Sequence, residues 1–204
     1  GYNTLKGCGG DAGIQKNDNV STGTLTITAE DTNQTLNVSA DTNGAAIGGN
    51  GYSGDSHGTK NIVIKGGTVN TQGRIGSGWN GGSAENIVIT GDAVVDANGG
   101  IGGGYGDGKT SITISGNAQV NATYKVDTGS DYGYKYGFGG SDAGLAVIGG
   151  GVGSSSKKSH AKVTIQGNAQ VTAENRAYGG GAGIGGGANG TGEVIIGGKA
   201  QVKA

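Results

Sequence analysis

Between residues 123 and 144 the chain reads TYKVDTGSDYGYKYGFGGSDAG and carries five of the ten aromatic side chains of the protein. Tyr124, Tyr132, Tyr134, Tyr136 and Phe138 alternate there with the carboxylates Asp127 and Asp131. In DYGYKYGF a ring recurs at every second residue, which is the spacing of one face of a β-hairpin. Rings beside carboxylates suit sugar recognition. A ring packs on the C–H face of a pyranose, and the acids accept hydrogen bonds from its hydroxyls. The same rings would serve equally as a cover folded down on apolar structure. A second aromatic set follows a recurrent Ile-Gly string: Trp79 and Tyr105 stand four residues after Ile75 and Ile101. Val152 and Ala188 share that offset, and Tyr52 lies one place further on. If the strings stack at strand spacing, Trp79 and Tyr105 become neighbours. Such a ladder is either a glycan platform or a support for the turns.

Other chemistry is sparse. The loops GGNGYSGDSHG, GGGYGDGKT and GGSDAG have the flavour of calcium-binding nonapeptide repeats, but the acids fall at the wrong offsets and nothing recurs at nine residues. Each loop offers one carboxylate where a hard cation wants several, so no cofactor is expected. The Gly-rich strings lack the Walker pattern, and no helix is expected to follow them. His57 and His160 read as separate solvated loop residues, and the lone Cys8 as a small buried hydrophobe. Asp92 and Asp96 are the strand acids, without acidic partners one period away, so a paired-carboxylate enzyme finds little support.

The elements that hold these residues are written as a repeat. IVIKG, IVITG, ITISG, VTIQG and VIIGG recur, each followed by a string such as TVNT, AVVDA, AQVNA, AQVTA or AQVKA, and then, in all but the last, by Ile-Gly. Ile64, Ile89 and Ile114 are spaced by 25 residues. Within each string the alternation is two: Ile62 and Ile64, or Ala118, Val120 and Ala122, face one way. Short β-branched runs closed by Gly or Asn read as strands. The expected fold is all-β: a right-handed parallel β-helix (β-solenoid) of about six coils of ~25 residues, with three short strands per coil. Six coils at ~4.8 Å make a rod of roughly 29 Å. Residues 1–204 form one domain, with 1–22 an N-terminal cap or first partial coil, 123–144 a long aromatic insertion and 174–180 a short one. Insertions in solenoids project from an edge and often bind.

Composition agrees with such a rod. Gly supplies 50 of 204 residues, Pro is absent, and hydrophobic residues make up 32%. Glycine has no three-residue period, which excludes collagen. A net charge of −1 without basic blocks argues against nucleic acid. No apolar segment is long enough for membrane insertion, and a signal peptide is not evident, as expected of a soluble mature protein or an excised fragment. The chain closes on AQVKA, where a further Ile-Gly string would begin, which suggests a piece of something longer.

AAIGG, NIVIKGGTVNTQG, NIVITGDAVVDANGGIGGG, SITISGNAQVNA and GAGIGGGANGTGEVIIGGKAQVKA, over residues 45–204, resemble the Gly-rich repeat regions of large surface proteins of Gram-positive anaerobes. Those regions are described as carbohydrate-binding-domain-like. The resemblance extends to about residue 10 and implies a secreted or cell-wall-associated, adhesin-like protein. It implies no site residues, and the aromatic insertion lies outside the pattern. The expected function is therefore an extracellular non-catalytic module binding glycans or host or cell-surface ligands. The alternative is a structural stalk or a fibre segment that self-associates end to end or through its edges. A β-helical polysaccharide lyase or hydrolase is the lesser alternative.

Overall fold

The computed structural model describes residues 1–19, 22–31, 33–41, 43–52, 55–124, 144–154, 156, 158–176 and 181–204. The strands form a parallel β-helix whose chain visits three faces in a fixed order. The Val–Ala face has seven strands: Tyr2–Gly7, Thr35–Ala40, Thr68–Gln72, Val94–Asn98, Gln119–Tyr124, Gln170–Asn175 and Gln201–Lys203. The Ile–Gly face has six two-residue strands, from Ile14–Gln15 to Ile184–Gly185. The double-Ile face also has six, from Leu25–Ile27 to Gly190–Ile196. Residues 1–22 contribute the first rung rather than a separate cap, since Tyr2–Gly7 pairs in register with Thr35–Ala40. A short antiparallel hairpin, Gly51–Tyr52 with Asp55–Ser56, leaves the second Ile–Gly corner.

Alternation by two explains which side chains form the core. Ile62, Ile87, Ile112 and Val163 align on one column, and Ile64, Ile89, Ile114 and Ile165 on the next. All eight are at most 1% exposed. On the Val–Ala face, Val69, Val95, Val120 and Val171 form the inward column and Ala97, Ala122 and Ala173 line up beside it. Ile47, Ile75, Ile101 and Ile148 close the triangle, each fully buried. Each buried Ile contributes about 1.5–3 kcal/mol relative to an exposed one. The thin column suffices because backbone ladders continue through every rung.

The glycine after each Ile is required by stacking. Gly48, Gly76, Gly102 and Gly149 have φ of 139, 150, 132 and 139°, a region closed to side chains. A Cβ on any of them would fall on the carbonyl oxygen of the equivalent glycine one rung on. The main chain bends sharply here: Ala45 N–H donates to Gly49 O (3.0 Å) and Ala146 N–H to Gly150 O (3.1 Å), looping around the buried Ile. A second glycine column turns the chain from the double-Ile face to the Val–Ala face, with φ of 73, 66, 69, 73 and 68° at Gly67, Gly91, Gly116, Gly167 and Gly198.

Arg74 is fully buried in the position before an Ile-Gly pair. Its Nη1 donates to Gly99 O (3.0 Å) and its Nη2 to Ala146 O (2.9 Å), so one side chain ties together three successive coils. Cys8 departs from expectation. It is exposed, because it follows the terminal strand Tyr2–Gly7, which no rung covers on its outer edge.

Candidate functional site

The aromatic column forms as its spacing predicts. Tyr105 N–H donates to Trp79 O (2.6 Å), and the two rings lie with centroids 5.0 Å apart and planes tilted by 32°. Tyr105 bridges in parallel to Val152, and Gly153 N–H donates to Ala188 O (2.9 Å), which extends the column to four coils. Trp79, Tyr105 and Ala188 are partly buried and pack against the core, and Val152 is buried. The tilted contact between the two rings braces neighbouring turns. The backbone of Tyr52 lies in the 51–56 hairpin and not in this column.

Tyr124 is corrected. It is 3% exposed and belongs to the core cluster, because the strand Gln119–Tyr124 runs two residues past AQVNA and points Tyr124 inward, opposite Asn175. The neighbouring strand extends likewise to Asn175, so the rungs continue into both stretches first read as insertions at 123–144 and 174–180. Asp127, Asp131, Tyr132, Tyr134, Tyr136 and Phe138 lie outside the described residues.

Charged groups gather in small sets. Asp18 accepts a hydrogen bond from Ser83 Oγ (3.2 Å) and lies 3.9 Å from His57 Nδ1. Around them Thr59 Oγ donates to Lys16 O (2.6 Å), and Asn50 N–H donates to Asn17 Oδ1 (2.9 Å). His57 is therefore mostly enclosed rather than solvated, because the hairpin folds it against the 16–18 segment. Burial, reinforced by Lys60, pushes the Lys16 ammonium below its ordinary range against the opposing pull of Asp18. These contacts fasten the first corner to the starts of the second and third double-Ile strands, Thr59–Ile64 and Ala84–Ile89. Serine and histidine both address the same carboxylate. His160 lies in the strand Ser159–Ile165 rather than a loop, and its Nδ1 pairs with Thr191 Oγ1 at 2.7 Å. The Arg176 guanidinium, 2.7 Å from Glu174, holds that carboxyl below the usual range. Among the described residues no group of three or more His, Cys, Asp or Glu is placed to hold a metal ion.

The outward side of the Val–Ala face is different in kind. Its side chains stand in rows along the rod, linked from rung to rung. Asn70 Nδ2 donates to Asn37 Oδ1 (3.0 Å), and Asn37 Nδ2 donates to Asn3 O (3.3 Å). At the adjoining corner Asn168 Nδ2 donates to Asn117 Oδ1 and Asn117 Nδ2 to Asp92 Oδ1, each at 2.9 Å. The first four rungs of the Val–Ala face enclose a shallow cavity of about 340 Å³ lined by Tyr2, Thr4, Asn37, Asn70, Gln72 and Asn98 among others. Sequence reasoning passed over these positions as bland polar strand faces. The available signal was the recurrence of amides at one register, Asn37, Asn70 and Asn121, interrupted by the carboxylate of Asp96.

The chain matches no family model, no curated protein and no solved structure.

Proposed function

We propose that the chain is an extracellular, non-catalytic, adhesin-like rod whose side binds glycans or other cell-surface ligands. The observation that carries this reading is the set of amide ladders on the outward Val–Ala face and its adjoining corner, fixed from rung to rung by side-chain hydrogen bonds. A hydroxyl-rich ligand needs donors and acceptors at fixed places, and a rigid array supplies them with little ordering cost on binding. The intact chain is tested on a glycan array and in a mucin pull-down. Specific signals on either are expected, and silence on both overturns the proposal.

A second reading is a stalk or fibre segment, supported by the three parallel sheets that run side by side along the rod. Filaments that lengthen with protein concentration in electron micrographs would favour this reading.

A further inference from the structure

Resting on the glycan-binding reading, we infer that the groove over the first four Val–Ala rungs is the binding site, and that its ligand is an uncharged polysaccharide strand. The groove crosses the strands Tyr2–Gly7, Thr35–Ala40, Thr68–Gln72 and Val94–Asn98. Three strand spacings span about 14 Å, so it accommodates a run of sugar units rather than a single one.

Chemistry selects the ligand class. The side chains lining the cavity are amides, hydroxyls, one valine and one tyrosine, with no ionised group. Lys6, further along the first strand, is neutralised by Asp41 at 2.9 Å. Anions would leave water here for no compensating cation, and the outward carboxylate of the fourth rung, Asp96, in register with Asn70, adds to the repulsion, so anionic ligands are disfavoured. Uncharged hydroxyls are matched instead, because each both donates and accepts, as does an amide. The ladder determines which amide groups remain for a ligand. An Asn has two N–H donors and two carbonyl lone pairs. Asn37 spends one donor on Asn3 O and one lone pair on Asn70, leaving one of each in a fixed direction. Asn70 stands one rung on from Asn37 in the same register, and Asp96 follows on the fourth rung, so hydrogen-bonding groups repeat at strand spacing, which suits a polymer that also repeats.

Tyr2 supplies the apolar element. At 76% exposure it is the most exposed large hydrophobic side chain among the described residues, and it lines the mouth of the groove. Its ring is available to the C–H face of a pyranose, unlike the mutually stacked Trp79 and Tyr105 rings.

The test is affinity electrophoresis of the intact chain in gels containing hydroxyethylcellulose, galactomannan or polygalacturonate. Retardation by at least one neutral polymer is expected. Tyr2→Ala, and separately the double variant Asn70→Ala/Gln72→Ala, should each weaken it about tenfold, while Gln170→Ala, on the same face beyond the groove, leaves it unchanged. Neutral-polymer retardation that survives both variants overturns the groove while leaving glycan binding intact. Retardation by polygalacturonate alone overturns the ligand class. A positive glycan array with no retardation by any neutral polymer overturns this inference only. Silence on the array and in the mucin pull-down, with no retardation in any gel, overturns the functional reading as well.

Discussion

At the scale of single residues, the glycine of each Ile-Gly pair is set by the approach of one rung to the next. Gly102 has φ 132°, and a Cβ there would meet the Gly149 carbonyl. Gly102→Ala combines backbone strain with a collision against main chain, and should destabilise the protein by about 2 kcal/mol or more. Gly197 has open space around it, so Gly197→Ala should shift stability by less than about 0.5 kcal/mol. Thermal melts of the two variants compare them directly, and equal shifts would contradict the stacking argument. Lys16 provides a pH test. Its folded pKa lies below the ordinary lysine value, so the unfolded chain holds this proton to higher pH. Native stability attributable to Lys16 therefore rises as pH climbs from the lowered value towards about 10.4. Lys16→Gln should remove that rise, seen as a wild-type-minus-variant difference in denaturation midpoint across the alkaline range.

At the scale of elements, local rules and exceptions sit side by side. Asn86 occupies the left-handed region at φ 56° where its strand bulges, and its amide donates to Asn61 Oδ1 (2.8 Å). Asn86→Ala should cost about 1 kcal/mol or more, whereas Asn86→Gly keeps the backbone and loses only the ladder bond. Chemical denaturation of the pair should rank Ala below Gly. Tyr105→Ala should cost about 1–3 kcal/mol, because it removes a half-buried ring from Trp79 and from the core edge. The repeat was legible because identical rungs demand identical inward residues, so Ile64, Ile89 and Ile114 announce the period. The first rung was legible only as a cap or first partial coil, since YNTLKG places Asn3 and Leu5 where the third rung carries Val69 and Thr71. Tyr124 was misplaced for a related reason. Composition groups it with the tyrosines that follow, while strand parity turns it inward. Arg74 carried a visible signal: a charge where equivalent positions hold Ala46, Gly100, Val147 and Gly183. Its bonds to Gly99 and Ala146 depend on coils that sequence spacing alone does not orient. The groove was hidden because neutral outward residues have no pattern of their own until the rungs are in register.

At the scale of the whole molecule, stability is that of a one-dimensional stack in which a rung touches only its neighbours. Interior rungs have two neighbours and terminal rungs one. The consequence is visible in burial: Ile87, Ile89, Ile112 and Ile114 are at most 1% exposed, whereas Val194 and Ile196, at the same registers on the last rung, are 40 and 54% exposed. Opening free energies should therefore fall from the centre to both ends. A second copy does not cover the ends easily. The Val–Ala face has seven strands and the other two have six, so a copy translated along the axis cannot meet all three faces in register. Hydrogen exchange read on segments 2–7, 87–98, 112–124 and 190–203 tests both statements. The two central segments should exchange slowest and the two terminal ones fastest. Protection at 2–7 and 190–203 should also be independent of protein concentration. Uniform protection would mean that the rod opens as one unit, and terminal protection that grows with concentration would mean that its ends do pair with other copies.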